Sequence, residues 1–196
     1  MAISTETIKE LRDATGLSIM QCKKALEEAN GDMQKATIIL QKKGASVAAK
    51  KADRTLGAGK VASYAHSTGN VASLVELMCE TDFVAKNEEF QKLAYDIAMQ
   101  VAATNPAFLK MEDIAEDTKN QAKEVFEKEL AGKPEEMKAK IMEGKINSYF
   151  KDKVLLEQEY IKNPELTVRG LIEGYVQKFG ERIEVGRFVR IGIGEK

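Results

Sequence analysis

The sequence predicts an α+β protein: a three-helix bundle at the N-terminus, then a small antiparallel three-stranded sheet backed by helices, with an inserted antiparallel helical hairpin. Three observations carry this prediction. Capped helical repeats follow one another through the first 44 residues. Two strand-like runs, 61–66 and 71–79, flank a turn sequence, and an alternating stretch at 183–193 supplies a third strand. Between them lies a highly charged helical region at about 116–154. With 196 residues, 43% of them hydrophobic, the chain can bury a real core in one or two domains. The division expected is 1–54 for the helical head with its connecting helix and 55–196 for the α+β core.

In the head, the first helix runs from about Ser4 to Ala14 with Ile8 and Leu11 inward, and Gly16 supplies its stop. Ser18 caps the second helix, and Gln21 three residues on completes a capping box. Asn30-Gly31 ends that helix, Asp32 caps the third and Gly44 closes it, although Ala45 to Lys51 could continue as helix. On a wheel of the second helix, Cys22, Ala25, Leu26 and Ala29 share one face. Ile19 sits at the edge of that stripe. Met20 falls nearly opposite, among Lys23, Lys24, Glu27 and Glu28, either as a partner contact or as an isolated exposed apolar side chain.

Leu56-Gly57-Ala58-Gly59 reads as a flexible joint to the body. Val61 to His66 and Val71 to Cys79 follow as strands, with Ser67-Thr68-Gly69-Asn70 as the turn. The helix from about Glu88 to Ala103 keeps Phe90, Leu93, Ala94, Ile97, Ala98 and Val101 on one stripe. Asn87 caps it and Asn105-Pro106 stops it. The charged region is broken at Gly132-Lys133-Pro134. Its seam is narrow: Val125 and Leu130, then Met137, Ile141, Ile146 and Phe150. Thr167 caps a last helix stopped by Gly180. In the closing strand Ile183, Val185, Arg187, Val189, Ile191 and Ile193 alternate with Glu184, Phe188 and Arg190.

Several function classes are disfavoured. The net charge of −1 gives no global field to recruit nucleic acid or membranes. Residues 1–54 hold ten Lys/Arg against seven Asp/Glu and the remainder twenty against twenty-four, too small an asymmetry to imply a polyanion partner. The single histidine, His66, rules out a multi-histidine metal site and leaves a His-based triad unexpected. No phosphate-cradling glycine loop occurs, and aromatic residues are not interleaved with basic ones. Cys22 and Cys79 both fall on apolar faces, as reduced thiols would. Neither a membrane span nor a leader sequence is visible. The expectation is a cytoplasmic protein without metal, cofactor, membrane or direct nucleic-acid partner, and without bond-making chemistry of its own.

One stretch stands apart. Thr81-Asp82-Phe83-Val84-Ala85-Lys86-Asn87 sets a carboxylate and an aromatic ring side by side where a strand ends and a helix begins. From periodicity, Phe83 either plugs the local core or projects into a partner.

Cys79 to Asn87 resembles the hallmark of bacterial elongation factor Ts. Leu11 to Gly16, Met20 to Leu26 and Gly31 to Ala36 resemble that family's N-terminal domain, which is similar to ubiquitin-associated (UBA-like) bundles. Gly180-Glu181-Arg182-Ile183 and the following strand resemble its ending, so the likeness spans essentially the whole chain. The resemblance implies a guanine-nucleotide exchange factor for translation elongation, which binds elongation factor Tu in its GDP-bound and nucleotide-free states. By motif, Phe83 would insert between helices of the partner's nucleotide-binding domain, with Asp82 beside it. Thr81, Asp82, Phe83 and Val84 would then displace the magnesium that ties GDP to that partner. Leu11, Arg12, Ile19, Met20 and Lys23 would contact the same domain from the head. The family frequently has two adjacent methionines where this chain has Ile19-Met20.

Longer members carry two α/β subdomains, but this chain shows only one strand–strand–helix set, from Val61 to Ala103. Tyr64-Ala65-His66 resembles the second subdomain's contact with another domain of the partner, which makes His66 a core-contact candidate. One module cannot easily place both signatures at distant points on one partner, so a homodimer is expected. The rival reading is a non-exchanging UBA-like adaptor, which leaves the Thr81–Asn87 junction without a purpose.

Overall fold

The computed structural model describes residues 3–127 and 135–195. Helix α1 (Thr5–Thr15) starts at Ser4, whose Oγ accepts the Thr7 N–H at 3.1 Å. It ends at Gly16 with φ +68°, a left-handed stop suited to glycine. Helix α2 (Ile19–Glu28) opens with the predicted capping box. Ser18 Oγ accepts the Gln21 N–H at 3.3 Å and Gln21 Oε1 accepts the Ser18 N–H at 3.1 Å. Asp32 caps α3 (Met33–Ala49). Ile8, Leu11, Cys22, Ala25, Leu26 and Leu40 meet in a core belonging to the head alone.

The body begins with β1 (Ala58–Ala65) and β2 (Val71–Cys79), followed by a one-turn helix α4 (Asp82–Ala85) and α5 (Glu88–Thr104). Helices α6 (Glu116–Glu127) and α7 (Glu135–Lys151) come next, then a short ribbon of β3 (Glu159–Tyr160) and β4 (Asn163–Thr167). Helix α8 (Val168–Phe179) and β5 (Ile183–Gly192) complete the chain. The main sheet is antiparallel, in the order β1-β2-β5. Its inner face, with Val75, Leu77 and Cys79, packs on Phe90, Leu93 and Ile97 of α5 and on Ile172 and Val176 of α8. Ser73 is the polar residue on that face, and its hydroxyl donates to Ala98 O at 2.6 Å. The architecture is therefore the predicted α+β arrangement.

Several details depart from the sequence reading. Gly44 does not close the third helix. Helix α3 runs on to Ala49, and Gly44 is buried where α3 meets α8, with Glu173 O only 3.3 Å from where a Cβ would stand. The two helices approach closely at this point, where glycine otherwise costs a helix about 1 kcal/mol. The expected flexible joint at Leu56–Gly59 is already partly strand, because Ala58 and Gly59 pair with Cys79 and Met78. A Cβ on Gly59 would lie 2.5 Å from Leu77 O, so glycine is required by the sheet and not by flexibility. At the other end β1 stops at Ala65, leaving His66 in the turn. There the His66 N–H donates to Val71 O at 2.9 Å, and Gly69 takes φ +73°.

The alternation read along the last strand breaks at Gly186. Glu76 pairs with Arg187 but Leu77 pairs with Val185, so Gly186 is an extra residue, a β-bulge. The bulge inverts the facing of everything after it. Ile183 and Val185 point into the core, whereas Val189, Ile191 and Ile193 face outward and Phe188 turns inward.

In the helical hairpin, Phe126 of α6 stacks edge-on with Tyr149 of α7, whose ring meets Phe150 at 4.9 Å. The seam consists of Ala122, Phe126, Met142, Ile146 and Phe150. Val125 and Met137, expected there, are exposed instead, and Ile141 is half-buried. The expected break at Gly132-Lys133-Pro134 and the seam residue Leu130 lie outside the described residues. The β3–β4 ribbon was not foreseen. It is held to α5 by fully buried Gln100, whose side chain donates to Gln158 Oε1 and Glu159 O and accepts the Ile161 N–H. A glutamine inside an apolar helix face is stable only when so satisfied.

Candidate functional site

The Thr81–Asn87 junction is built from two caps in tandem. Thr81 is the N-cap of α4, its hydroxyl accepting the Val84 N–H, and Asn87 caps α5 by accepting the Glu89 N–H at 2.8 Å. Between the caps the chain makes one helical turn. That turn buries Val84 and Ala85 against the sheet and turns Phe83 outward, where its ring is 83% exposed. Asp82 is also exposed, and its carboxylate stands 3.5 Å from Lys86 one turn on. An aromatic ring of this size left in water on a short, anchored turn is a surface able to enter a partner's apolar pocket.

The backbone entering this turn is gripped from the opposite end of the chain. Glu181, just past the C-terminus of α8, accepts the N–H groups of Glu80 and Thr81 at 3.1 and 3.0 Å and the Thr81 hydroxyl at 2.6 Å. Glu80 reciprocates by accepting the Arg182 N–H at 2.6 Å, and Arg54 pairs with it at 3.2 Å. The Arg182 N–H and the Arg54 guanidinium hold the Glu80 carboxyl below the ordinary glutamate value. Burial first, then the charge of Glu181, pushes the Cys79 thiol up to about 11, so it stays protonated. No cluster of His, Cys, Asp and Glu able to hold a metal occurs among the described residues.

On the head, Ile19 and Met20 are exposed side by side at the start of α2, Met20 to 62%. Arg12 and Lys23 are exposed as well, and Lys23 is 3.9 Å from Glu27. Leu11 is different. It is fully buried in the head core, so it cannot touch a partner in this conformation and instead supports the surface from beneath. The reason is its place on the inner stripe of α1 with Ile8. Val84 is likewise buried, an anchor of the Thr81–Asn87 turn and not part of its exposed surface. His66 is exposed, its Nδ1 2.9 Å from the Thr68 hydroxyl, and its ring lies 6.5 Å from Tyr64. A groove of about 510 Å³ opens beside it, lined by Tyr64, Met99, Ile161 and Arg190.

A sequence model of the family described as Elongation factor TS matches residues 5–195. The chain belongs to the elongation factor Ts family. It is 48% identical to Elongation factor Ts of Thermosipho melanesiensis, over 98% of this chain and all of that protein. It is 47% identical to Elongation factor Ts of Thermotoga maritima, over 100% of this chain and 98% of the relative. Against Elongation factor Ts of Carboxydothermus hydrogenoformans the identity is 46%, over 98% and 90% of the two chains. The alignment in each case covers nearly the whole of this chain, so it runs through head, sheet, hairpin and final strand.

Two features of the fold had no sequence signal. The grip of Glu181 on Thr81 joins residues 100 positions apart. The outward row of Val189 and Ile191 depends on the bulge at Gly186, which periodicity places on the wrong side. No helix is long and apolar enough to cross a membrane among the described residues.

Proposed function

We propose that this member of a translation elongation factor family is a cytoplasmic guanine-nucleotide exchange factor for elongation factor Tu. The observation that carries the reading is Phe83, exposed at the tip of a turn whose neighbours Val84 and Ala85 are buried. Phe83 enters the partner's nucleotide-binding domain, Asp82 approaches its magnesium site, and the Thr81–Phe83 surface, anchored by buried Val84, shifts the ion. Magnesium neutralises the diphosphate, so displacing it weakens GDP binding and lets the nucleotide leave. Binding of this factor and of GDP are reciprocally coupled, so GTP can then take the vacated site and the factor is released. The chain makes and breaks no covalent bond.

Energetics require more than the wedge. A ten-thousandfold faster release needs about 5.5 kcal/mol of barrier lowering, and burying one phenylalanine contributes roughly 1.5–3 kcal/mol. The remainder is assigned to the head (residues 1–54) through Arg12, Ile19, Met20 and Lys23, and to the core (residues 55–196) through His66.

Phe83 and His66 lie beyond opposite ends of β1, a strand of eight residues spanning roughly 26 Å. Their separation favours a homodimer in which one protomer supplies the wedge and the second supplies His66. The outer face of the sheet, with Val61, Leu74, Val189 and Ile191 exposed, offers the apolar surface such a dimer needs.

Release of labelled GDP from elongation factor Tu, with and without the chain, tests the function. The native chain is expected to accelerate release strongly, Phe83→Ala to slow it severely and Asp82→Ala to slow it less. Near-native exchange by Phe83→Ala would sink the wedge reading.

A further inference from the structure

A helix of four residues does not hold itself in place. Its first turn fixes several backbone torsions for one hydrogen bond, a net cost in isolation. The Thr81 cap on α4 is long, 3.4 Å from Val84 N to the hydroxyl, and Phe83 itself makes no buried contact that could orient it. Burial of Val84 and Ala85 fixes the inner side of the turn. Something else must fix the backbone that enters it, because a ring on a short turn swings with every change in the torsions of residues 80 and 81.

Glu181 meets that requirement. Its Oε2 accepts two consecutive backbone N–H groups, those of Glu80 and Thr81, and its Oε1 accepts the Thr81 hydroxyl. Hydrogen bonds to a carboxylate are shorter and about twice as strong as neutral ones. With Thr81 Oγ1 donating to Glu181, an oxygen lone pair of that hydroxyl stays oriented toward Val84 N, so one carboxylate sets both the strand exit and the cap. The grip is reciprocal, since Glu80 Oε1 takes the Arg182 N–H at 2.6 Å. Each of two facing turns thus holds the other's backbone through a carboxylate. The end of the head joins the same node: Lys51 Nζ donates to Gly180 O and Arg182 Nη1 to Arg54 O, both at 2.6 Å.

We propose that Glu181 is a positioning residue for nucleotide exchange, holding the Thr81–Phe83 backbone so that the exposed ring meets the partner already aimed. The proposal rests on the exchange reading of Phe83. Glu181 acts through Thr81 and does not touch the partner. Its loss therefore affects the exchange step more than formation of the complex, which the head and core contacts support. A residue that merely stabilised the fold would lower both together.

Two measurements on the full chain test this with Glu181→Ala and the nearly isosteric Glu181→Gln. In the free protein, amide hydrogen exchange at Thr81 and Val84 is expected to rise at least about tenfold in Glu181→Ala, with α5 and the sheet unchanged. Glu181→Gln, which keeps one acceptor oxygen and loses the charge, should fall between. With elongation factor Tu·GDP, the maximal release rate should drop about tenfold or more while the half-saturating concentration moves less than about threefold. Unchanged amide protection at Thr81 and Val84 in both variants overturns the proposal, and so does a loss of rate matched by an equal loss of affinity. Should Glu181→Ala unfold, Glu181→Gln decides by the same criteria. A native chain that leaves GDP release unaltered overturns the exchange reading instead, and the amide measurement then still decides whether Glu181 holds this backbone.

Discussion

Phe83 and Phe90 stand seven residues apart on either side of the Asn87 cap and have opposite surroundings: Phe83 is 83% exposed, and Phe90 is completely buried. Phe90 packs in the core between the sheet and α5, whereas Phe83 contributes nothing to that core. Their replacement by alanine should separate accordingly. Phe90→Ala should cost about 3–5 kcal/mol of stability, and Phe83→Ala less than about 0.5 kcal/mol. Denaturant unfolding measures both. A large loss in Phe83→Ala would mean that its ring is covered in solution.

The head offers a parallel contrast between Met20 and Leu11. Met20→Ala removes an exposed side chain, so helicity and melting should be unchanged while affinity for elongation factor Tu weakens several-fold to about tenfold. Leu11→Ala opens a cavity in a small core and should cost about 2–5 kcal/mol of stability. Circular dichroism and titration calorimetry distinguish them. Unaltered affinity in Met20→Ala would remove that residue from the contact surface.

The exposed sheet face predicts the assembly state. Ile191 is 70% exposed on an outer face shared with Leu74 and Val189. Light scattering should find the native chain as a dimer. Ile191→Glu, which places a charge that cannot be buried without a partner, should be a folded monomer. A native chain that is monomeric yet fully active would refute the homodimer.

The node at Glu80 predicts an acid sensitivity. Its carboxyl is held below the ordinary value of 4.5, first by the Arg182 N–H and also by Arg54. A group depressed in the folded state stabilises it fully above the unfolded pKa and loses that contribution as pH falls through the folded pKa. Melting temperature should therefore decline below pH 4.5 more steeply in the native chain than in Glu80→Gln. The two profiles should run parallel at neutral pH. Equal acid slopes would show that the Glu80–Arg182 bond does not contribute.

Much of this protein was legible from local chemistry. Ser18, Asp32, Asn87 and Thr167 each cap the helix their spacing predicted, because a cap needs only a side-chain oxygen and an amide two or three residues away. The apolar stripe of α5 and the turn through Gly69 were equally local. Gly44, Gly59 and Gly186 were misread or passed over for the opposite reason. What matters at each is what a distant segment brings near it: the backbone of Glu173 close to Gly44, the carbonyl of Leu77 against Gly59, the movable side-chain ends of Glu76 and Met78 beside Gly186. The Gly186 bulge then decides which face Val189 and Ile191 occupy, since a single inserted residue inverts a period of two.

By itself the sequence determined the α+β class, most of the helix starts and the family resemblance carried by Thr81 to Asn87. It could not say whether Phe83 was core or surface, because a one-turn helix has no periodicity to read. Tertiary structure decided that point. Val84 and Ala85 fill the space beneath the turn, and Phe83 is left outside. Glu181, reaching back across the fold to Glu80 and Thr81, fixes the backbone from which the ring projects. Capping and helical periodicity act over a few neighbouring residues and are written into the chain order, whereas burial and long-range hydrogen bonds exist only once distant segments have met.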